Sequence, residues 1–149
     1  MKFGGYLDIK APLQTVVDYF KNVDLLGEYQ DGFVSKTTIE GNPWEEGTRS
    51  IMEYKHDKME MILEETILEN KLPASFKAFY YHKHMDNTME SKFIALDENN
   101  TRFEFDFEYT RINWIMPKLM AILFPGVYKK QAFKWMNQFK TFVENDYQK

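Results

Sequence analysis

The stretch from Thr101 to Arg111 constrains the fold more than any other part of the chain. Phe103, Phe105, Phe107 and Tyr109 alternate there with Arg102, Glu104, Asp106 and Glu108. Successive side chains of a strand point to opposite faces, so this pattern predicts a strand with one wet face and one covered face. Something large and apolar must cover it. From Val127 to Asn145, the residues Tyr128, Ala132, Trp135, Met136, Phe139, Phe142 and Val143 recur at helical spacing. Lys129, Lys130, Lys134 and Lys140 lie mostly off that stripe. A long C-terminal helix laid on a sheet is the arrangement these two segments ask for.

The rest of the chain supplies the remaining strands. Phe3 to Lys10 alternates and reads as a strand. Ala11-Pro12 opens a helix carrying Leu13, Val16, Val17 and Phe20, and a second short helical piece is expected over Asp24 to Tyr29. Six strands then follow, over Phe33–Glu40, Thr48–Lys55, Met59–Glu69, Ser75–Lys83, Thr88–Leu96 and Thr101–Arg111. Turns are expected at Gly41-Asn42-Pro43, Asp57-Lys58, Leu72-Pro73, Asp86-Asn87 and Glu98-Asn99-Asn100. After them, Pro117 begins a helical segment that Pro125-Gly126 should kink or break. The predicted class is α+β: a curved seven-stranded antiparallel sheet around a long C-terminal helix, with two short helices after the first strand. With 149 residues and no repeat or linker, residues 1–149 read as one domain.

Composition narrows the function. There is no Cys, which excludes disulfides, thiolate metal sites and a cysteine nucleophile. Nineteen basic residues against 23 acidic ones give a net charge of −4, unpromising for nucleic-acid binding. There is no G-x-S-x-G, P-loop or G-x-G-x-x-G motif. No signal peptide is visible at the N-terminus, and the apolar stretch from Ile112 to Val127 is too short and broken to span a bilayer. A cytoplasmic protein is expected. The 13 Phe, 9 Tyr, 3 Trp and 9 Met form a large, polarizable apolar inventory for a chain of this size.

Several local features carry a family resemblance. They are Ile9-Lys10-Ala11-Pro12 with Val16 and Val17, Glu45-Glu46-Gly47-Thr48-Arg49, Glu65-Thr66-Ile67-Leu68-Glu69 before Leu72-Pro73, and the ending Phe139-Lys140-Thr141-Phe142-Val143-Glu144. In this order they resemble the START-like, or SRPBCC, superfamily, the helix-grip fold of the birch-pollen allergen and the polyketide cyclases. The resemblance implies a START-like domain that binds a lipid, polyketide or quinone-like molecule between sheet and helix. It also implies two alternatives: a cyclase, dehydrase or isomerase acting on such a ligand, or an interaction module with a packed core. The pair Glu45-Glu46 departs from the small residues many relatives carry there.

Alternation assigns the lining of such a cavity. Ser50, Met52, Tyr54 and His56 share a face, as do Met59, Met61, Leu63, Glu65 and Ile67. Phe76, Ala78, Tyr80 and His82 form the next row, then Met89, Ser91, Phe93 and Ala95, then Phe105 and Phe107. With Tyr128, Trp135, Met136 and Phe139 from the helix, they enclose either a ligand pocket or a solid core. Glu65 stands out. If it faces inward beside Tyr54, His56 and His82, it is a general base or a group that orients a ligand; a one-residue slip turns it to solvent. Glu65 and His82 are the acid–base candidates. His82 and His84 share a strand face with Asp86 nearby, which is short of a ligand set, so neither a metal nor a cofactor is expected. The partner expected is a small hydrophobic ligand. The apolar residues of the C-terminal region read first as a cover for the sheet, with the lysines as its wet side; a second reading makes the segment Trp114–Gly126 a mobile cavity rim that touches membranes transiently.

Overall fold

The computed structural model describes residues 1–112 and 125–149, with side chains of the last helix described from Lys129 onward. The order is β1 (Lys2–Ile9), α1 (Leu13–Lys21), a 3-10 turn (Val23–Leu25), α2 (Leu26–Tyr29), β2 (Phe33–Glu40), β3 (Arg49–His56), β4 (Met59–Lys71), β5 (Ser75–His82), β6 (Met85–Asp97), β7 (Asn100–Ile112) and α3 (Pro125–Tyr147). All seven strands form one antiparallel sheet in the order β1-β7-β6-β5-β4-β3-β2. This is the α+β, helix-grip arrangement the sequence predicts. No helix among the described residues is long and apolar enough to cross a membrane.

The core lies between the sheet and the helices. Phe103, Phe105, Ile9, Val16, Val17 and Val143 are all but sealed from solvent. Phe20 of α1 is the hub of the aromatic packing, with its ring 5.1 Å from Phe93, 5.7 Å from Phe76 and 6.4 Å from both Phe103 and Phe139. α3 crosses β1 closely because Gly5 has no side chain: a Cβ there would run into Phe133, whose ring packs edge-on against Phe105 at 5.0 Å. Polar contacts fasten α3. Lys10 N–H donates to Glu144 Oε2 at 2.7 Å, Tyr19 Oη donates to Asp146 Oδ2 at 2.6 Å, and Lys134 and Gln138 both reach Asp31.

Two boundaries differ from the sequence reading for clear reasons. The β5–β6 turn falls at Lys83-His84, with His82 paired to Met85, and not at Asp86-Asn87. Asp86 is occupied as a strand residue: the Arg111 guanidinium forks onto its carboxylate at 2.7 and 2.8 Å and also donates to the His82 carbonyl. Pro125-Gly126 opens α3, two residues ahead of the expected Val127, since the fixed φ and missing N–H of proline suit a first turn. The covered face also ends sooner than alternation suggests: His56, Met59 and Ala95 keep their place in the alternation but are exposed. The helix predicted from Pro117, most of the Trp114–Gly126 rim and the side chain of Tyr128 lie outside the described residues.

Candidate functional site

A charged cluster sits on the covered face of the sheet. Glu65 on β4 is flanked by Ser50 on β3 and Tyr80 on β5. Tyr80 Oη donates to Glu65 Oε2 at 2.8 Å. From β2, Lys36 Nζ reaches Glu65 Oε1 at 2.8 Å, with the two side chains only 13% and 4% exposed. This is an ion-pair contact outside hydrogen-bond geometry, so among the described residues Oε1 accepts no aligned hydrogen bond. The Lys36 ammonium also lies 5.1 Å over the Trp44 ring, within cation–π range.

β2 turns its lysine inward because the strand is irregular. The register slips between Phe33 and Ser35, after which Lys36 pairs with the inward-facing Met52. Val34 and Ile39, two apolar residues of that strand, are exposed instead. Trp44 comes from the β2–β3 loop, where it holds a φ of +69°, a conformation costly for a bulky side chain. Gly41, at φ +86° and tight against Thr48, makes the turn into that loop. Glu45 and Glu46 pin the loop by accepting from Asn42 Nδ2 and the Asn70 amide.

Two abutting cavities share Val23, Lys36, Trp44 and Glu65. The inner one, about 90 Å³, is walled by aromatic and methionine side chains including Phe20, Tyr29, Phe76, Met89, Phe103 and Phe139. The outer one, about 100 Å³, is bounded by Thr38, Pro43, Thr48, Ser50 and Ile67. Drug-sized ligand pockets run to roughly 300–1,000 Å³. The aromatic inventory therefore fills most of the space and leaves a small chamber split by Lys36 and Trp44.

Burial holds the phenols here in their protonated form. Tyr80 is pushed well above its ordinary value by burial and by the Glu65 carboxylate. Tyr54 is raised by burial first and Glu65 second, and Tyr29 by burial alone. His82 is lowered, chiefly by burial and then by the positive groups of His84, Lys83 and Arg111.

Of the residues singled out in the sequence, Met52, Glu65, Phe76, Tyr80, Met89, Met136 and Phe139 line the inner cavity. Tyr54 is buried behind it and donates to Gln30 Oε1 at 2.7 Å. Phe93 and Phe105 are core, with Met61, Leu63 and Phe107 packed against it, and none of them lines either chamber. Trp135 is half-buried outside the lining, and its indole Nε1 has no hydrogen-bond partner among the described residues. His82 ends β5, away from both cavities, and Glu65 meets Lys36 and Tyr80 rather than the histidines. Among the described residues no cluster of three His, Asp or Glu side chains could hold a metal ion. The sequence reading missed Lys36 and Trp44.

No family model and no curated protein matches this sequence. Solved structures do match its fold. The Zhui aromatase/cyclase from a Streptomyces species superposes with a TM-score of 0.76 over 97% of this chain and 93% of that one, at 10% identity. A START superfamily protein from Mycobacterium smegmatis gives 0.73 over 97% of both chains at 8% identity. Ara h 8.0201 gives 0.72 over 96% of this chain and 97% of its own at 14% identity. The chain has the helix-grip fold of the START-like superfamily.

Proposed function

We propose that this protein binds a small, largely apolar molecule between the sheet and α3, with the molecule's polar end at Lys36, Glu65 and Tyr80. The observation that carries this reading is the buried Lys36–Glu65 pair, standing where the aromatic-walled inner chamber meets the outer one. A buried ion pair adds little net stability, and apolar residues of similar volume often serve the fold as well or better. Its place here is more readily explained by what it offers a ligand. Affinity comes from apolar burial, at about 25 cal/mol per Å². Displacing Trp44 from its strained conformation joins the chambers and makes room for a larger molecule. A cyclase- or isomerase-type reaction would use Glu65 as the base. Lys36 and Tyr80 both engage that carboxylate, an arrangement suited to holding a polar group more than to removing a proton.

The test is a fluorescence titration with phenylnaphthylamine, a neutral probe that brightens in apolar surroundings. Saturable binding is expected in the wild type. Ser91 is buried and lines the inner chamber, so Ser91→Val fills it and weakens binding by about tenfold, with cooperative unfolding preserved. Absence of saturable binding, or equal affinity in a folded Ser91→Val, counts against the reading.

A further inference from the structure

Neither chamber admits a ring as it stands. An apolar cavity of about 150 Å³ accepts benzene, and these hold about 90 and about 100 Å³. Trp44 borders both. The outer chamber has the exposed residues Thr38 and Pro43 on its rim, whereas every residue described around the inner one is at least partly covered. Trp44 therefore stands between the inner chamber and the one nearer to solvent. Its ring packs edge-on against Phe76 at 5.4 Å, lies 6.3 Å from Phe20 and carries the Lys36 ammonium 5.1 Å from its centre. The backbone opposes these contacts: a φ of +69° is costly for a bulky side chain, so a return to negative φ offsets part of what the ring loses on leaving. The loop is also built to turn. Gly41 and Gly47, both at φ +86°, bracket it, and glycine crosses between left- and right-handed conformations at no steric cost. Asn70 of β4 ties its middle to the sheet. Asn70 Nδ2 donates to the Trp44 carbonyl at 2.6 Å, the Asn70 amide donates to Glu46 Oε1 at 3.2 Å, and Asn70 lines neither chamber.

We propose that Trp44 is a gate: its loop turns on Gly41 and Gly47, lets go of Asn70 and swings the indole out, joining the chambers so that an apolar ligand enters the inner one from the outer side. This deepens the binding reading above and rests on it. Closed, the protein offers a ring-sized guest no room. Only the open form binds, and the apparent affinity is reduced by the fraction of molecules that are open. Opening also strips the indole from the Lys36 ammonium, which then faces the joined space with its pairing to Glu65 intact. A tryptophan serving only as a wall would sit as well on a strand with ordinary φ. One strained inward on a loop between two left-handed glycines, and tied down from outside the cavity, is placed to move.

The experiment is stopped-flow mixing of the protein with a rising excess of phenylnaphthylamine, followed by the probe's fluorescence. In the wild type the observed rate is expected to level off, because opening limits entry once the probe is plentiful. Trp44→Asn removes the ring and keeps a residue that tolerates positive φ. Its rate is expected to rise linearly with probe and to exceed the wild-type plateau by about tenfold. Asn70→Ala and Glu46→Ala loosen the loop without touching either chamber wall. Both are expected to raise the plateau, Asn70→Ala by about tenfold. Urea unfolding checks that each variant is folded. Glu46 is exposed, so its variant carries the test should Asn70→Ala fail to fold. A wild-type rate that stays linear in probe, or a plateau that no folded loop variant moves, overturns the gate, while saturable binding leaves the binding reading standing. Binding confined to Trp44→Asn means a ring that never opens and overturns both, as does the absence of binding in every protein tested.

Discussion

Lys36 concentrates what is unusual in this chain. A charged residue on an edge strand normally points to water, and β2 inverts that rule: Val34 and Ile39 are exposed while Lys36 is turned inward. The cause is the register slip after Phe33, which no local pattern announces. Glu65 was easier to read, because it interrupts an apolar row that includes Met61, Leu63 and Ile67, and a carboxylate at such a place must find a donor. Its lysine partner was not readable, since it comes from β2, where the register slip breaks the alternation. The pair makes a sharp prediction about stability. Lys36→Met alone leaves a carboxylate buried beside one phenol and is expected to cost about 3–5 kcal/mol. Lys36→Met/Glu65→Leu removes both charges and is expected to recover most of that loss. Urea unfolding of the three proteins measures it. A single variant within about 1 kcal/mol of wild type would mean the site is wetter than the structure shows.

At the scale of elements, periodicity was a reliable guide wherever a strand or helix buries one face. β7 and α3 follow from their alternation and spacing almost residue by residue. Turns were harder. Asp86-Asn87 has turn chemistry but lies in β6, because Arg111 pairs with Asp86 across the sheet; that contact joins residues 25 apart and is invisible locally. Trp44 was missed for a related reason. It belongs to a loop, where periodicity says nothing about direction, and a positive φ aims its ring into the protein. The approach of α3 to β1 was also hidden, because a glycine within an alternating strand does not announce that Phe133 seats on it. Gly5→Ala is expected to destabilise the protein by about 1–3 kcal/mol as the Phe133 ring is pushed off β1. An unchanged urea midpoint would show that α3 shifts without penalty.

At the scale of the whole molecule, the sheet, the two short helices and α3 close around one aromatic core, and the remaining space is placed where a ligand's polar end would meet charge. The sequence made the architecture legible because patterning, turn residues and element order all agree. It did not reveal the size of the chamber. That depends on how closely rings such as Phe20, Trp44 and Phe76 interlock, and a list of inward-facing residues carries no such information. The central claim is that the space between sheet and helix takes an apolar guest. The most direct test is a methyl spectrum of protein carrying carbon-13 at its methionine methyls, titrated with phenylnaphthylamine. Met52, Met89 and Met136 line the inner chamber, whereas Met59 is 77% exposed at the start of β4. The account predicts ring-current shifts at those three lining methyls and none at Met59. Shifts confined to Met59, or a spectrum that does not change, would contradict it.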